Sequence, residues 1–173
     1  GGSTTSSGQN NVCVGYAAEC SAGGGDGQIV LGYALTGYAN QYTTLGYTSS
    51  KSYLAHGSTS WSGTSDVRYK KNIEDSTAGL SFINDLRPIT YEWKNKGEIP
   101  STSNEYEEGS TEQYRNSKVN HGFVAQEVKQ AIDSHSEIQN GFNMWHEADD
   151  GEQAIAETAL IPMLVKALQE ADD

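Results

Sequence analysis

The sequence predicts a β-repeat stalk followed by a mixed α+β domain with a long C-terminal helix, and three observations lead to this fold class. Residues 1–64 hold 13 of the 19 glycines but only 3 of the 34 charged residues. Within this segment a Gly-Tyr dipeptide recurs at intervals of 17 and 14 residues. After residue 64 the chain becomes charged and has apolar residues at helical spacing. We therefore predict two domains, 1–64 and 65–173.

The repeat of the first segment is the strongest organisational signal in the chain. "VCVGYAAE", "IVLGYALT" and "TTLGYTSS" align on Gly15-Tyr16, Gly32-Tyr33 and Gly46-Tyr47, and the longer interval contains the insertion "GGG". Each unit predicts a short strand, a tight turn at glycine and a second short strand. One coil is too thin to bury its apolar side, so coils must stack on each other or on other chains. We expect a trimeric β-helix or β-roll; a single-chain solenoid and a disordered linker are the alternatives.

The rest of the chain predicts a loop-rich connection and then the α+β domain. Residues 48–64 lose the repeat. The segment 75–86 predicts a helix that Asp75 or Ser76 caps and Pro88 terminates, with Leu80, Ile83 and Leu86 on its apolar side. The residues "ITYEW" predict a strand with Ile89, Tyr91 and Trp93 on one face, and the polar stretch 95–118 predicts an exposed excursion.

Three further elements are predicted towards the C-terminus. A helix over 122–132 directs Phe123, Val124, Val128 and Ile132 to a core. A hairpin turn is predicted around Asp149, Asp150 and Gly151. The last helix, over 153–170, has an apolar stripe of Ile155, Ala159, Met163, Leu164 and Leu168, and Pro162 either kinks this helix or marks its start.

The net charge of −12 argues against several classes of partner. A nucleic acid or an anionic membrane surface requires a basic face, so we expect neither nucleic-acid binding nor membrane insertion. We see no signal peptide and no apolar run long enough to span a bilayer. Cys13 and Cys20 are too few for a disulfide framework and lack metal-ligand spacing; we interpret them as small, half-buried side chains. We expect no metal and no organic cofactor.

The stretch "GTSDVRYKKNI" lies where the nearly uncharged segment meets the charged one, and it contains the candidate catalytic residues. A serine hydroxyl needs a base within hydrogen-bond reach to act as a nucleophile, and a lysine can serve as that base. Ser65 and Lys70 can meet only if the chain bends near Asp66 and Val67, since a straight strand would place them on opposite faces. On these residues alone, a cap at Ser65 or Asp66 followed by a solvated basic run explains the stretch better.

Four motifs in order change that interpretation: "SDVRYKKNI", "LRPITYEWK", "GFVAQEV" and "LIPMLVKALQE". Together they closely resemble the C-terminal intramolecular chaperone domain of phage tailspikes, tail fibres and neck appendages. The resemblance implies a domain that forms a homotrimer, helps its upstream stalk to fold as its client, and releases itself by autoproteolysis. It implies a virion location for the mature part and release of the chaperone domain into the host cytoplasm during assembly.

The resemblance also assigns site residues. The scissile bond lies between Thr64 and Ser65, and the catalytic Ser–Lys dyad falls on Ser65 and Lys70. Asp66 and Arg68 match the motif, and we expect them to fix the turn. Lys71 is a rival base.

An oxyanion donor is also needed. Our candidates are a backbone N–H near Gly63 and, weakly, the side chains of His121 and Glu127. His121 is more often a surface or turn histidine, and Glu127 is more often an ion-pair residue.

Two alternatives lack chemistry. A trimeric fibre tip could bind a host-surface receptor through the 95–118 excursion and Trp145-His146. A purely structural trimer cap could use Ser65 only as a helix cap.

Overall fold

A computed structural model describes residues 8–139 and 142–172 of the chain. The contacts divide the chain into two compact units, Gly1–Ile73 and Glu74–Asp173. The segment that follows residue 64 therefore packs with the first unit as far as Ile73. A boundary of contacts and a boundary of sequence families need not coincide, and the domain boundary at 64/65 stays a prediction.

The first unit is a five-stranded sheet in the order β1-β2-β3-β4-β5. Its strands are β1 (Val12–Val14), β2 (Ile29–Tyr33), β3 (Tyr42–Tyr47), β4 (Ser50–Ala55) and β5 (Ser62–Gly63). The first three pair in parallel and in the register of the repeat, so that Gly32 lies opposite Gly46 and Tyr33 opposite Tyr47. The predicted repeat alignment is thus confirmed, and its coils stack on one another within one chain.

Glycine is required in the repeat because the coils approach closely at that position. Gly32 has a φ of +150°, and a Cβ there would lie 1.8 Å from the carbonyl oxygen of Gly46. The tyrosine that follows each of these glycines stacks on the next coil, with ring centroids 5.2 Å apart for Tyr16–Tyr33 and 5.1 Å apart for Tyr33–Tyr47. Each repeat therefore contributes one backbone contact and one ring to a continuous ladder.

The inner side of the stacked coils is small and partly polar. Val30, Leu35 and Ala18 form its apolar core. Gln28 is fully buried, and its side chain donates to Ser21 and Asn40 and accepts from the Ser21 backbone N–H. Because these bonds satisfy the buried amide, they offset the cost of removing this polar side chain from water.

The prediction of a loop-rich connection over 48–64 is wrong. A two-residue turn at Thr48 and Ser49 leads from β3 into the antiparallel β4, which in turn pairs with β5. Tyr53 is buried in β4 and stacks on Tyr38, with ring centroids 3.8 Å apart. Burial of this one aromatic ring orders a segment whose composition is otherwise typical of a loop.

The second unit is a mixed α+β fold, as predicted. Its elements are α1 (Leu80–Asp85), β6 (Ile89–Tyr91), β7 (Asn120–Gly122), α2 (Ala125–Ser134), β8 (Trp145–Glu147), β9 (Gln153–Ile155), a 3-10 turn (Glu157–Leu160) and α3 (Ile161–Asp172). β6 pairs with β7, and β8 pairs with β9, both antiparallel. Phe82, Val128, Ile132, Met144 and Leu160 are at the centre of the core.

Two helix predictions need correction. The helix predicted over 75–86 begins only at Leu80, because Gly79 precedes it and neither Asp75 nor Ser76 provides its cap. Instead, the Glu170 carboxylate of α3 accepts the Leu80 N–H at 2.7 Å. The core residue of α1 is Phe82, whereas Leu80 is exposed.

The second correction concerns the last helix, predicted over 153–170. Its first three residues form β9, so that Ile155 belongs to a strand. Pro162 is the second residue of α3, so it marks the start of the helix, where a missing N–H costs nothing. Met163 packs against the core, whereas Leu164 and Leu168 are exposed.

The remaining predictions are confirmed in part: the strand predicted over "ITYEW" ends at Tyr91, and Gly122, predicted as helical, is the last residue of β7. Ile89, Tyr91 and Trp93 are half-buried in alternation with exposed neighbours. The 95–118 stretch is exposed over most of its length, and a backbone bond from Lys96 N–H to Glu112 gives its base the character of a hairpin. α2 starts three residues later than predicted, with Val128 and Ile132 buried. The turn at Asp149–Gly151 joins β8 to β9. No helix among the described residues is long and apolar enough to cross a membrane.

Candidate active site

The residues before the predicted scissile bond lie in an edge strand. In β5, Ser62 lies opposite Tyr53 and Gly63 lies opposite Ser52 of β4. β4 is anchored by the buried ring of Tyr53. The chain is therefore extended and held on one side up to Gly63, directly before Thr64 and Ser65.

A short turn after Ser65 supplies the bend that the sequence requires. Residues Val67–Tyr69 form one 3-10 turn, and the Asp66 side chain caps it by accepting the Arg68 N–H at 2.8 Å. The Lys70 N–H closes the turn on the Val67 carbonyl at 3.1 Å. Asp66 caps this turn for the reason that it caps helices: its short carboxylate reaches an N–H two residues on.

This turn brings the two candidate catalytic side chains together. The Lys70 Nζ donates a hydrogen bond to the Ser65 Oγ at 2.8 Å. A base must lie within about 2.6–3.2 Å of the hydroxyl that it deprotonates. The heavy-atom distance required for a Ser–Lys pair is therefore met within one chain.

Asp66 and Arg68 bind each other. The guanidinium of Arg68 contacts both carboxylate oxygens of Asp66, with Nη2 at 2.6 Å from Oδ2. Arg68 holds the pKa of the Asp66 carboxyl below its usual value, through the side-chain bond first and the backbone N–H second. The pKa of Arg68 is raised in return. Asp66 thus stays ionised at neutral pH, and its cap on the turn persists.

The pair faces an open cleft of about 810 Å³. Ser65 and Lys70 are both exposed in it, and the other lining residues include Tyr38, Lys51, Tyr53 and Thr64. Water can therefore reach the bond that follows Thr64. Lys51, whose Nζ donates to the Thr36 carbonyl at 3.0 Å, brings a positive charge to the same cleft.

The sequence did not single out Tyr38, Lys51 or Tyr53 as site residues. The available signal was the alternation of "SKSYLA", which indicates a strand with Lys51 and Tyr53 on one face. Their approach to Ser65 depends on the pairing of β4 with β5, which no local pattern specifies.

The remaining candidates lie elsewhere. Lys71 is exposed directly after Lys70. His121 is an exposed residue of β7 opposite Thr90, in the second unit. The Glu127 carboxylate, also in the second unit, accepts two bonds from Arg87, at 2.9 and 2.5 Å, and this side-chain contact lowers the pKa of Glu127. These contacts add no argument for an oxyanion role of either residue.

No group of three or more potential metal ligands comes together within residues 8–139 and 142–172. Asp149 and Asp150 lie in the exposed turn between β8 and β9, where the Asp150 Oδ1 accepts the Glu152 N–H at 3.0 Å. Their geometry is that of a capped turn.

Comparison with known proteins gives one family. Residues 65–136 match the family model described as chaperone of endosialidase, which is a phage-associated peptidase family. The match starts at Ser65 and spans less than half of the chain, so it concerns this segment and not the strands before it. No curated protein and no solved structure matches the chain.

Proposed function

We propose that the segment that starts at Ser65, which matches the chaperone of endosialidase family model over residues 65–136, trimerises the protein, assists folding of the preceding strands, and then cuts the chain between Thr64 and Ser65. The observation that supports the cut is the contact of 2.8 Å between Lys70 Nζ and Ser65 Oγ. It lies directly after a strand that ends at Gly63. Nucleophile, base and scissile bond thus lie within seven residues of one chain.

The proposed first step is an N→O acyl shift. Lys70, as the neutral amine, accepts the proton of the Ser65 hydroxyl, and the Oγ attacks the carbonyl carbon of Thr64. The C–N bond then breaks, the Ser65 nitrogen takes the proton back from Lys70, and Thr64 becomes an ester of Ser65. Water hydrolyses this ester, which leaves a carboxylate on Thr64 and a free hydroxyl and amino group on Ser65.

We favour this route within one chain over attack by the Ser65 of a neighbouring copy. The hydroxyl of a serine is close to its own preceding carbonyl by covalent geometry, and Lys70 contacts the Ser65 of the same chain. The tetrahedral intermediate places a negative charge on the Thr64 oxygen. A backbone N–H near Gly63 remains our candidate donor, and Lys51 of the cleft supplies a favourable field.

The proposed homotrimer is supported by exposed apolar surface on both units. In the first unit, Val14, Leu31 and Leu45 lie in register on the outer face of β1, β2 and β3, beside the tyrosine ladder. This face contains no charged residue. In the second unit, one side of α3 exposes Ile161, Leu164, Val165 and Leu168. Apolar patches of this kind mark protein interfaces, and copies of the same chain are our proposed partners.

The biological setting follows from the same proposal. The upstream stalk is the folding client of the domain, the mature part is carried into the virion as an appendage, and the cleaved domain stays in the host cytoplasm. Binding of a host-surface receptor belongs to the mature part in this scheme. The phage association of the family supports this setting.

Three variants test the proposed chemistry. Ser65→Ala removes the nucleophile and Lys70→Ala removes the base, so we expect neither variant to be cleaved. Lys71→Ala is the matched control, since Lys71 is the adjacent cation and is also exposed, and this variant should be cleaved at the wild-type rate. The readout is the fraction of full-length chain over time on a denaturing gel. Loss of cleavage in Lys71→Ala together with normal cleavage in Lys70→Ala would reassign the base.

A further inference from the structure

The two cysteines of the chain lie close together in the first coil. The Sγ atoms of Cys13 and Cys20 are 3.6 Å apart, and both residues are half-buried free thiols. Cys13 lies in β1, and Cys20 follows the turn that begins at Gly15. Nothing in the proposed cleavage uses this pair.

Contacts other than the sulfur contact hold the two residues in place. Cys13 pairs with Val30 of β2 and packs against the core of the coil. Next to Cys20, the Glu19 N–H donates to the Leu35 carbonyl at 2.9 Å, and Glu19 bridges to Thr36 of the second coil. Both ends of the turn are therefore fixed by backbone bonds to the next coil, and the sulfur atoms meet as a consequence.

We propose that Cys13 and Cys20 are a disulfide-forming site that cross-links the first coil when the protein meets a small-molecule disulfide oxidant. A disulfide needs an S–S distance of about 2 Å, so the sulfur atoms must approach by roughly 1.5 Å, which small rotations about the Cα–Cβ bonds supply. Reducing cytosol keeps such thiols reduced, whereas an oxidising environment closes them. The two cysteines are thus free thiols during synthesis in the cytosol and form the disulfide outside the cell.

The reaction balances with oxidised glutathione as the oxidant. The Cys20 thiolate attacks one glutathione sulfur, which forms a mixed disulfide and releases one glutathione thiolate. Cys13 then loses its proton to solvent, and its sulfur attacks the Cys20 sulfur and releases the second glutathione. The two cysteines lose two electrons in total, and the glutathione disulfide gains them. Burial, followed by the contact with Cys20, raises the pKa of the Cys13 thiol to about 11, which disfavours Cys13 as the first nucleophile.

The cross-link would stabilise the coil that contains both cysteines. The turn from Gly15 to Ala18, which lies between them, includes Tyr16, whose ring stacks on Tyr33. Ala17 in this turn has a φ of +51°, which a non-glycine residue rarely adopts. Closing a short loop around this turn removes conformations from the unfolded chain and opposes local opening of β1.

The test uses the full chain with Ser65→Ala, so that cleavage does not alter the sample. After incubation with oxidised glutathione, iodoacetamide is added and the intact mass is measured. We expect a mass lower by two hydrogen atoms, no alkylation and no retained glutathione. A reductant should restore two alkylation sites. Two alkylated thiols after oxidation, a persistent glutathione adduct or a cross-linked dimer would each overturn the proposal.

Single-cysteine variants and denaturant are the controls. Cys13→Ser and Cys20→Ser, each in the Ser65→Ala chain, cannot form an internal disulfide, so a monomer of either variant should not lose two hydrogens. In urea the wild-type pair should give a larger share of mixed disulfide, since the coil no longer holds the sulfurs together. Hydrogen exchange of Val12–Val14 should slow on oxidation in the two-cysteine chain and not in either variant. Equal exchange in the oxidised and reduced chains would contradict the stabilising role.

Discussion

At the scale of single residues, the position of the candidate base depends on Asp66. Its carboxylate caps the turn through the Arg68 N–H and is kept ionised by the Arg68 guanidinium. This capped turn places the Lys70 side chain against the Ser65 hydroxyl. Asp66 therefore acts on the dyad through backbone geometry, which makes it a positioning residue in our proposal.

Two substitutions separate the cap from the ion pair. Asp66→Ala removes the acceptor of the turn, so we expect self-cleavage to slow several-fold, because Ser65 and Lys70 meet less often. Asp66→Asn keeps a capping oxygen and loses only the charge, and it should stay close to the wild-type rate. Rates are measured as the decay of full-length chain. A larger loss in Asp66→Asn than in Asp66→Ala would contradict the capping role.

Some residues of this site could be predicted from the sequence and others could not. The motif and its resemblance named Ser65 and Lys70, and the geometry of an extended chain showed that a bend near Asp66 and Val67 was needed. A capped turn begins there. The lining by Tyr38 and Lys51 could not be predicted, because it depends on the pairing of β4 with β5 and on the stacking of Tyr38 on Tyr53, which no local pattern specifies.

At the scale of elements, the repeat specifies its own register. The glycine of each coil permits close approach to the next coil, and the tyrosine after it adds a stacked ring. A shift by one residue would move the tyrosine ladder to the opposite face. The sequence could predict this register because glycine and tyrosine recur together.

Gly32→Ala tests this role of glycine. The added Cβ would clash with the Gly46 carbonyl oxygen at 1.8 Å, and the residue would keep a φ of +150°. We expect the free energy of local opening of β2 and β3 to fall by about 1–3 kcal/mol from the strained backbone, and further from the clash. Hydrogen exchange of the 29–47 peptides is the measurement. Gly63→Ala, where no atom lies within 4 Å of the added Cβ, is the control and should not change exchange in these strands.

The limits of sequence-based prediction also show at this scale. α1 was predicted too long because its N-terminal cap comes from Glu170, a residue of the last helix. A cap supplied from the far end of the chain leaves no signal near the helix start. The β4 strand was not predicted because its serine-rich composition is typical of a loop, and the stacking of the Tyr53 ring on Tyr38 leaves no signal in the local sequence.

His135 links two helices of the second unit and predicts a pH dependence. Its Nε2 lies 2.7 Å from Asp85, at the end of α1, and its Nδ1 lies 3.0 Å from Glu137. Asp85 and then Glu137 raise the pKa of His135 above its ordinary value. The protonated ring is therefore favoured in the folded state. The contribution of the protonated His135 to the free energy of unfolding is complete below about pH 6.5, the usual pKa of histidine. It is lost as the pH rises through the higher pKa that His135 has in the folded state.

Thermal unfolding of His135→Gln as a function of pH measures this effect. In the wild type we expect the unfolding midpoint to fall as the pH rises above about 6.5, the usual pKa of histidine. His135→Gln should lower the midpoint at acidic pH and flatten this decline. His146→Gln, at an exposed position in β8, is the control and should keep the wild-type profile. An unchanged slope in His135→Gln would show that another group titrates.

At the scale of the whole molecule, the trimerisation and cleavage that we propose would serve a kinetic purpose. Strand pairing among three chains requires costly registration, and slow steps of this kind expose aggregation-prone edges. A trimeric domain at one end holds the three chains at high effective concentration. Its removal afterwards separates the stalk from the domain that assisted it, so that the product is held by its unfolding barrier.

Leu168→Glu tests the trimer and its coupling to the cut. Leu168 is 72% exposed on α3, so a charge there should leave the unit folded and weaken association of copies. We expect a smaller mass in light scattering and slower self-cleavage. Lys166→Glu is the control for added negative charge on the same helix, although it changes the net charge by two units rather than one and also removes an ion pair with Glu170. A monomeric Leu168→Glu chain that is cleaved at the full rate would refute coupling between assembly and release.

The most direct test of self-cleavage is the intact mass of the freshly purified wild-type chain under native conditions. Our account predicts two products of 64 and 109 residues, the second beginning with Ser65, from the chain of 173 residues. It also predicts an unmodified hydroxyl on Ser65 once the ester has been hydrolysed. A chain that forms its native trimer and remains at full length would contradict self-cleavage, and a purely structural trimer cap would then be the better account.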